Sequence, residues 1–63
     1  MKKGTVKFFN NEKGFGFIQD EESQKDIFVH KSGLIDRVRE NDIVEFNIND
    51  GDKGPFASEV KLS

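Results

Sequence analysis

The chain has no cysteine, no tryptophan and no tyrosine, and only one proline, one histidine and one methionine. Without cysteine there can be no disulfide framework, no thiolate metal site and no cysteine nucleophile, which suits a reducing compartment and makes a cytoplasmic location the expectation. A single histidine, His30, leaves a histidine-based catalytic set without partners that the charged loops would bring to it, so the chain does not read as an enzyme. No apolar run approaches the ~18 to 20 residues of a membrane span, and Met1-Lys2-Lys3 leads into no signal-peptide hydrophobic stretch. The acidic clusters Asp20-Glu21-Glu22 and Asp50-Gly51-Asp52 lack the spacing of a calcium loop and read as solvated turns, so neither metal nor cofactor is expected. Gly14-Phe15-Gly16 lacks the third glycine and the following helix of a phosphate-binding loop. At 63 residues the chain is read as one domain, 1–63, near the lower limit for an unaided core and too small for a large enzyme cleft.

Against these absences stand seven phenylalanines, at positions 8, 9, 15, 17, 28, 46 and 56. A core this small accommodates only a few rings, so some must be exposed. Segments rich in β-branched and aromatic residues recur between Gly, Asn, Asp and Pro clusters, which is an all-β pattern. The spacing predicts strands over Lys3–Phe9, Gly14–Gln19, Asp26–His30, Asp42–Asn49 and Phe56–Leu62. A short turn element at Lys31–Leu34 and a polar connection over Asp36–Asn41 separate the third strand from the fourth.

Alternation assigns opposite chemistry to opposite strand faces. In the second strand Gly16 and Ile18 oppose Phe15 and Phe17, and in the third Ile27 and Val29 oppose Phe28 and His30. The aliphatic set Val6, Ile18, Ile27, Val29, Val44, Phe46, Ile48 and Val60, with Leu34 and Leu62, is sized for the interior of a five-stranded barrel, whose closure removes exposed sheet edges. Phe15, Phe17 and Phe28 are then left over, and no helix is available to cover them. An exposed apolar patch rimmed by polar residues marks a binding site.

Lys7, Lys13 and His30 lie among Phe8, Phe9, Phe15, Phe17 and Phe28, so flat rings alternate with positive charge and hydrogen-bond donors. This suits a single-stranded nucleic acid, whose bases stack on rings while its phosphates meet cations; duplex DNA offers no free base faces. The charge agrees locally. Residues 1–19 carry four lysines against one glutamate (+3) and residues 20–63 six basic against eleven acidic (−5), for the net −2 of the chain. Stacking must then carry much of the affinity. A small SH3-like barrel binding peptide or protein partners through its Phe patch is the alternative. Grooves for proline-rich ligands favour Tyr and Trp, however, and this surface has bare Phe with Lys and His. An RRM is set aside because Asp20 stands where that motif ends in an aromatic and no amphipathic helices are present.

Gly4-Thr5-Val6-Lys7-Phe8-Phe9-Asn10, Lys13-Gly14-Phe15-Gly16-Phe17-Ile18, Ile27-Phe28-Val29-His30 and Lys53-Gly54-Pro55 occur in order along essentially the whole chain. In these motifs the sequence resembles the bacterial cold shock proteins. The resemblance implies a five-stranded antiparallel Greek-key β-barrel of the OB-fold type that binds single-stranded RNA and single-stranded DNA. It further implies an RNA chaperone that destabilises RNA secondary structure, with roles in transcription antitermination or translation at low temperature; separately, a monomer is expected. Position by position, Lys7, Phe8, Phe9, Asn10, Lys13, Phe15, Phe17, Phe28 and His30 match the family's binding surface, with Lys53 beside them. Phe8 stands where the family usually carries Trp, and Lys31 where an aromatic is common, which exchanges a stack for a phosphate contact. The segment between the third and fourth strands is shorter than usual and lacks its customary aromatic. Phe56, at a commonly small or polar position, either adds a ring to this surface or caps the barrel. Gly16 either permits close approach of a neighbouring strand or marks a bend, and Gly14 eases the turn before it.

Overall fold

The computed structural model describes residues 1–52 and 54–63. Short β-branched and aromatic segments form five strands: β1 (Lys2–Asn10), β2 (Phe15–Asp20), β3 (Asp26–His30), β4 (Ile43–Gly51) and β5 (Gly54–Leu62). A single 3₁₀ turn, Lys31–Gly33, follows β3. The strands close into a barrel in the order β1-β2-β3-β5-β4, with β4 returning to β1. All pairings are antiparallel except β3 with β5, which run parallel through Phe28↔Phe56 and Val29↔Ala57. The expected antiparallel barrel is thus sealed by one parallel seam.

The interior is aliphatic. Val6, Ile18, Val29, Val44, Phe46 and Val60 are fully buried and Ile27 nearly so, while Leu34 and Ile48 pack on this cluster half-buried. Two members escaped the sequence reading. Ala57 faces inward from β5, and Val38 is 3% exposed within the segment expected to be a polar connection. That segment returns along β1, where the Asn41 N–H donates to the Val6 carbonyl (2.7 Å) and the Val6 N–H to the Asp42 carbonyl (2.9 Å), and this path brings Val38 into the core. Leu62, expected inside, is 47% exposed: it is the last residue of β5, and its N–H donates to Asp36 Oδ2.

Two bulges decide which faces point inward. Between Val6↔Ile18 and Phe8↔Phe17 the β1–β2 register slips, so Lys7 is an extra residue on β1. The slip turns Phe8 outward beside Phe17 and leaves Phe9 opposite Gly16, packed against the core. On β5 the residues between Ser58 and Lys61 outnumber those opposite on β4 by one, and Glu59 takes a left-handed φ of 52° there. Val60 rather than Glu59 therefore follows Ala57 into the interior.

Gly16 is required by the first bulge. A Cβ added there would run into the Phe8 carbonyl oxygen and lie 2.7 Å from Phe9 Cδ2 and 2.8 Å from Phe9 Cα. Of the two readings of this glycine, close strand approach is the one observed. Gly16→Ala is expected to lower stability by ~1–3 kcal/mol, since β1 must shift to make room. Thermal unfolding followed by far-UV circular dichroism measures this; an unchanged midpoint would show that the strands yield freely.

Candidate nucleic-acid interface

With the aliphatic face turned in, the opposite face of β1, β2 and β3 collects the remaining rings. Phe15 pairs across strands with His30 and Phe17 with Phe28, all on the outer side. The rings touch one another: Phe15 and Phe28 stack with centroids 6.1 Å apart at 20°, Phe17 meets Phe28 edge-on at 6.0 Å, and Phe8 meets Phe15 edge-on at 6.1 Å. Such pairs hold rings in place while leaving their outer surfaces in water. Phe8, Phe17, Phe28 and Phe56 are each 37–44% exposed, with Phe15 half-buried at the centre. The sheet itself makes this platform, because alternate residues of neighbouring strands stand side by side.

Phe56 belongs to the same surface. It lies in register with Phe28 across the parallel seam, and the two residues line a cleft of about 540 Å³ together with Gly51, Asp52, Gly54 and Pro55. Of the two places offered by the sequence, it occupies the surface rather than the barrel's end. Phe9 departs from the expected set by facing the core side of β1, where it contributes to a separate cleft of about 300 Å³ shared with Lys31, Asp36 and Arg37.

The polar residues divide between holding the surface and rimming it. Asn10 Oδ1 accepts from the N–H groups of Glu12 (2.9 Å) and Lys13 (3.0 Å), so this side chain closes the β1–β2 turn. Gly14 completes that turn at a φ of 74°, and its carbonyl accepts from the Lys31 N–H at 2.8 Å. The stem of Lys31 lies over Gly14: an added Cβ there would sit 2.8 Å from Lys31 Cδ. His30 Nδ1 accepts from the Ser32 N–H at 3.2 Å, with the Ser32 hydroxyl at 2.9 Å, which fixes the ring and leaves Nε2 to donate outward.

Lys7, Lys13, Lys31 and Arg37 are exposed, and the one salt bridge among the described residues joins Lys2 to Glu22 at 3.4 Å. These four cations therefore have no ion-pair partner among the described residues. Sequence reasoning passed over Arg37; the signal for it was that both arginines, 37 and 39, fall in the connection before β4. Lys53, expected at the rim, lies outside the described residues. Among the described residues no group of three or more His, Cys, Asp or Glu could hold a metal ion, and no helix is long and apolar enough to cross a membrane.

Comparison with known proteins points the same way. A family model described as the "'Cold-shock' DNA-binding domain" matches residues 2–63. A cold shock protein of Arthrobacter globiformis is 50% identical over 66 residues, covering 98% of each chain. Cold shock protein CspA of Staphylococcus aureus is 48% identical over 64 residues, covering 95% of this chain and 96% of that one. Among solved structures, "drosophila Unr CSD456" superposes with a TM-score of 0.82 at 28% identity, over 98% of this chain and 26% of the other.

Proposed function

Because the chain belongs to the cold-shock domain family, whose members bind nucleic acid and are not enzymes, we propose that it binds single-stranded RNA and DNA and acts as an RNA chaperone. The observation that supports this reading is the connected cluster of Phe8, Phe15, Phe17 and Phe28 on one face, open to solvent and accompanied by unpaired cations. Each base stacked on such a ring contributes ~1–3 kcal/mol, and every base has a flat face, so the surface takes strands of mixed sequence. His30 Nε2 donates to a base edge or phosphate beside Phe15. Lys7, Lys13, Lys31 and Arg37 meet phosphates along the rim.

The mechanism is mass action. A protein that binds only the unpaired strand shifts a weak hairpin toward its open form without nucleotide hydrolysis. Modest affinity gives fast release, which a chaperone needs. Such melting acts in the cytoplasm, in transcription antitermination and in translation at low temperature, with one domain working as a monomer. Stacking does not distinguish ribose from deoxyribose, so both kinds of strand bind.

The test is a titration of a fluorescently labelled oligopyrimidine, single-stranded and as its duplex, at two salt concentrations. Binding of the single strand in the micromolar range or tighter, with the duplex far weaker, is expected. Equal binding of both forms, or of neither, would sink the proposal and turn attention to peptides. In the same assay Lys7→Gln, Lys13→Gln and Arg37→Gln are each expected to flatten the dependence of log affinity on log salt by about 0.7 for each phosphate no longer neutralised. An unchanged slope removes that residue from the phosphate path.

A further inference from the structure

We propose that the cleft between Phe28 and Phe56 is a guanine-selective base subsite, in which Asp52 reads the Watson–Crick edge of the base. The proposal rests on the single-strand reading above and specifies which base one end of the platform prefers. Four features of the cleft carry it.

The walls are apolar: Phe28, Pro55 and Phe56 supply them, and the volume of about 540 Å³ falls in the ~300–1,000 Å³ range of small-molecule sites. One wall is held still. The Phe56 ring lies against the Gly51 backbone, where an added Cβ would be 3.0 Å from its Cδ1 and 3.1 Å from its Cε1. Gly54, also in the lining, adopts a φ of 119° that favours glycine, and a Cβ there would meet nothing within 4 Å, so the space beside it is open. Finally, Asp52 is the one charged residue among the described residues lining the cleft.

A cleft of this size walled by aromatic rings takes a base, and the one charged residue among those described in its lining decides which one. A carboxylate only accepts hydrogen bonds, through two oxygens side by side. Guanine presents two adjacent donors, N1–H and the N2 amino group, which match that pair of oxygens as a guanidinium does. The other bases do not. Adenine and cytosine place a ring-nitrogen acceptor next to their amino group, and thymine or uracil flanks its N–H with two carbonyls, so each sets a lone pair against the carboxylate. Single strands leave these edges free to be read.

The experiment uses the full chain and a labelled oligothymidine heptamer, together with the set of heptamers carrying one deoxyguanosine at each position in turn. Guanine at one position is expected to tighten binding about tenfold, as a bidentate base contact does. Deoxyinosine at that position, which lacks the N2 amino group, is expected to return affinity to the oligothymidine level. Asp52→Asn, an exposed turn substitution, is expected to abolish the preference while oligothymidine still binds. A flat response to guanine position, equal binding of inosine, a preference for adenine or cytosine, or a preference that survives Asp52→Asn each overturns the guanine reading alone. Failure of every oligonucleotide to bind overturns it together with the single-strand function.

Discussion

Phe46→Ala is expected to cost ~3–5 kcal/mol of folding stability, the range for truncating a buried aromatic. Phe46 is fully buried and the largest such side chain in the barrel, and it lies opposite the β5 bulge that carries Glu59 and Val60. A domain of 63 residues has on the order of 3–9 kcal/mol in total, at about 0.05–0.15 kcal/mol per residue. The variant should therefore lose at least about a third of its stability, and unfold at room temperature if the parent lies at the lower end of that range. Far-UV circular dichroism against temperature or urea is the measurement, because the chain has no tryptophan to report on itself. A cooperative transition within a few degrees of the parent's would mean that the neighbouring aliphatic side chains collapse into the space and that Phe46 is not the keystone its burial indicates.

Phe28→Ala is expected to do the opposite, leaving the barrel folded and weakening single-strand binding by ~1–3 kcal/mol, or roughly 5- to 150-fold in Kd. The loss should fall toward the upper end because Phe28 is the hub of the surface: it stacks on Phe15, meets Phe17 edge-on and pairs with Phe56 across the seam. Stability should drop less than for Phe46→Ala, because Phe28 is 39% exposed and its removal leaves no buried cavity. Fluorescence anisotropy with a labelled strand and unfolding by circular dichroism, run on the same preparation, separate the two effects. If stability falls as far as for Phe46→Ala while binding per folded molecule is unchanged, the outer rings are core and the stacking platform is lost as an explanation.

The contrast between these two phenylalanines was legible in the sequence because both lie in strands that keep strict alternation. Phe46 shares a face with Val44, and Phe28 opposes Ile27 and Val29, and the structure keeps both assignments. Phe8 and Phe9 were harder. Alternation from Val6 alone would bury Phe8 and expose Phe9, and only the extra residue at Lys7 reverses this, a tertiary fact with no local signature beyond the glycine opposite. Val38 escaped for a related reason: between Arg37 and Arg39, in a segment with no strand period, nothing marks it as apolar core. Arg37 and the Phe28–Phe56 cleft come from residues distant in the chain being brought together by closure, and no window of sequence contains both sides.

The parallel seam between β3 and β5 ties the site to the latch of the barrel. β5 is hydrogen-bonded to both β3 and β4, so its departure would expose two raw strand edges at once. It joins Phe28 to Phe56 and Val29 to Ala57, partners twenty-eight positions apart (56 − 28), whereas β1–β2 and β2–β3 are hairpin neighbours that meet at little entropic cost. A single strand bound across Phe28 and Phe56 would span that latch like a bolt, and could do so only when it is shut. Every nucleotide bound there would also oppose opening of the barrel by linkage, so the domain would be braced by the strand it holds.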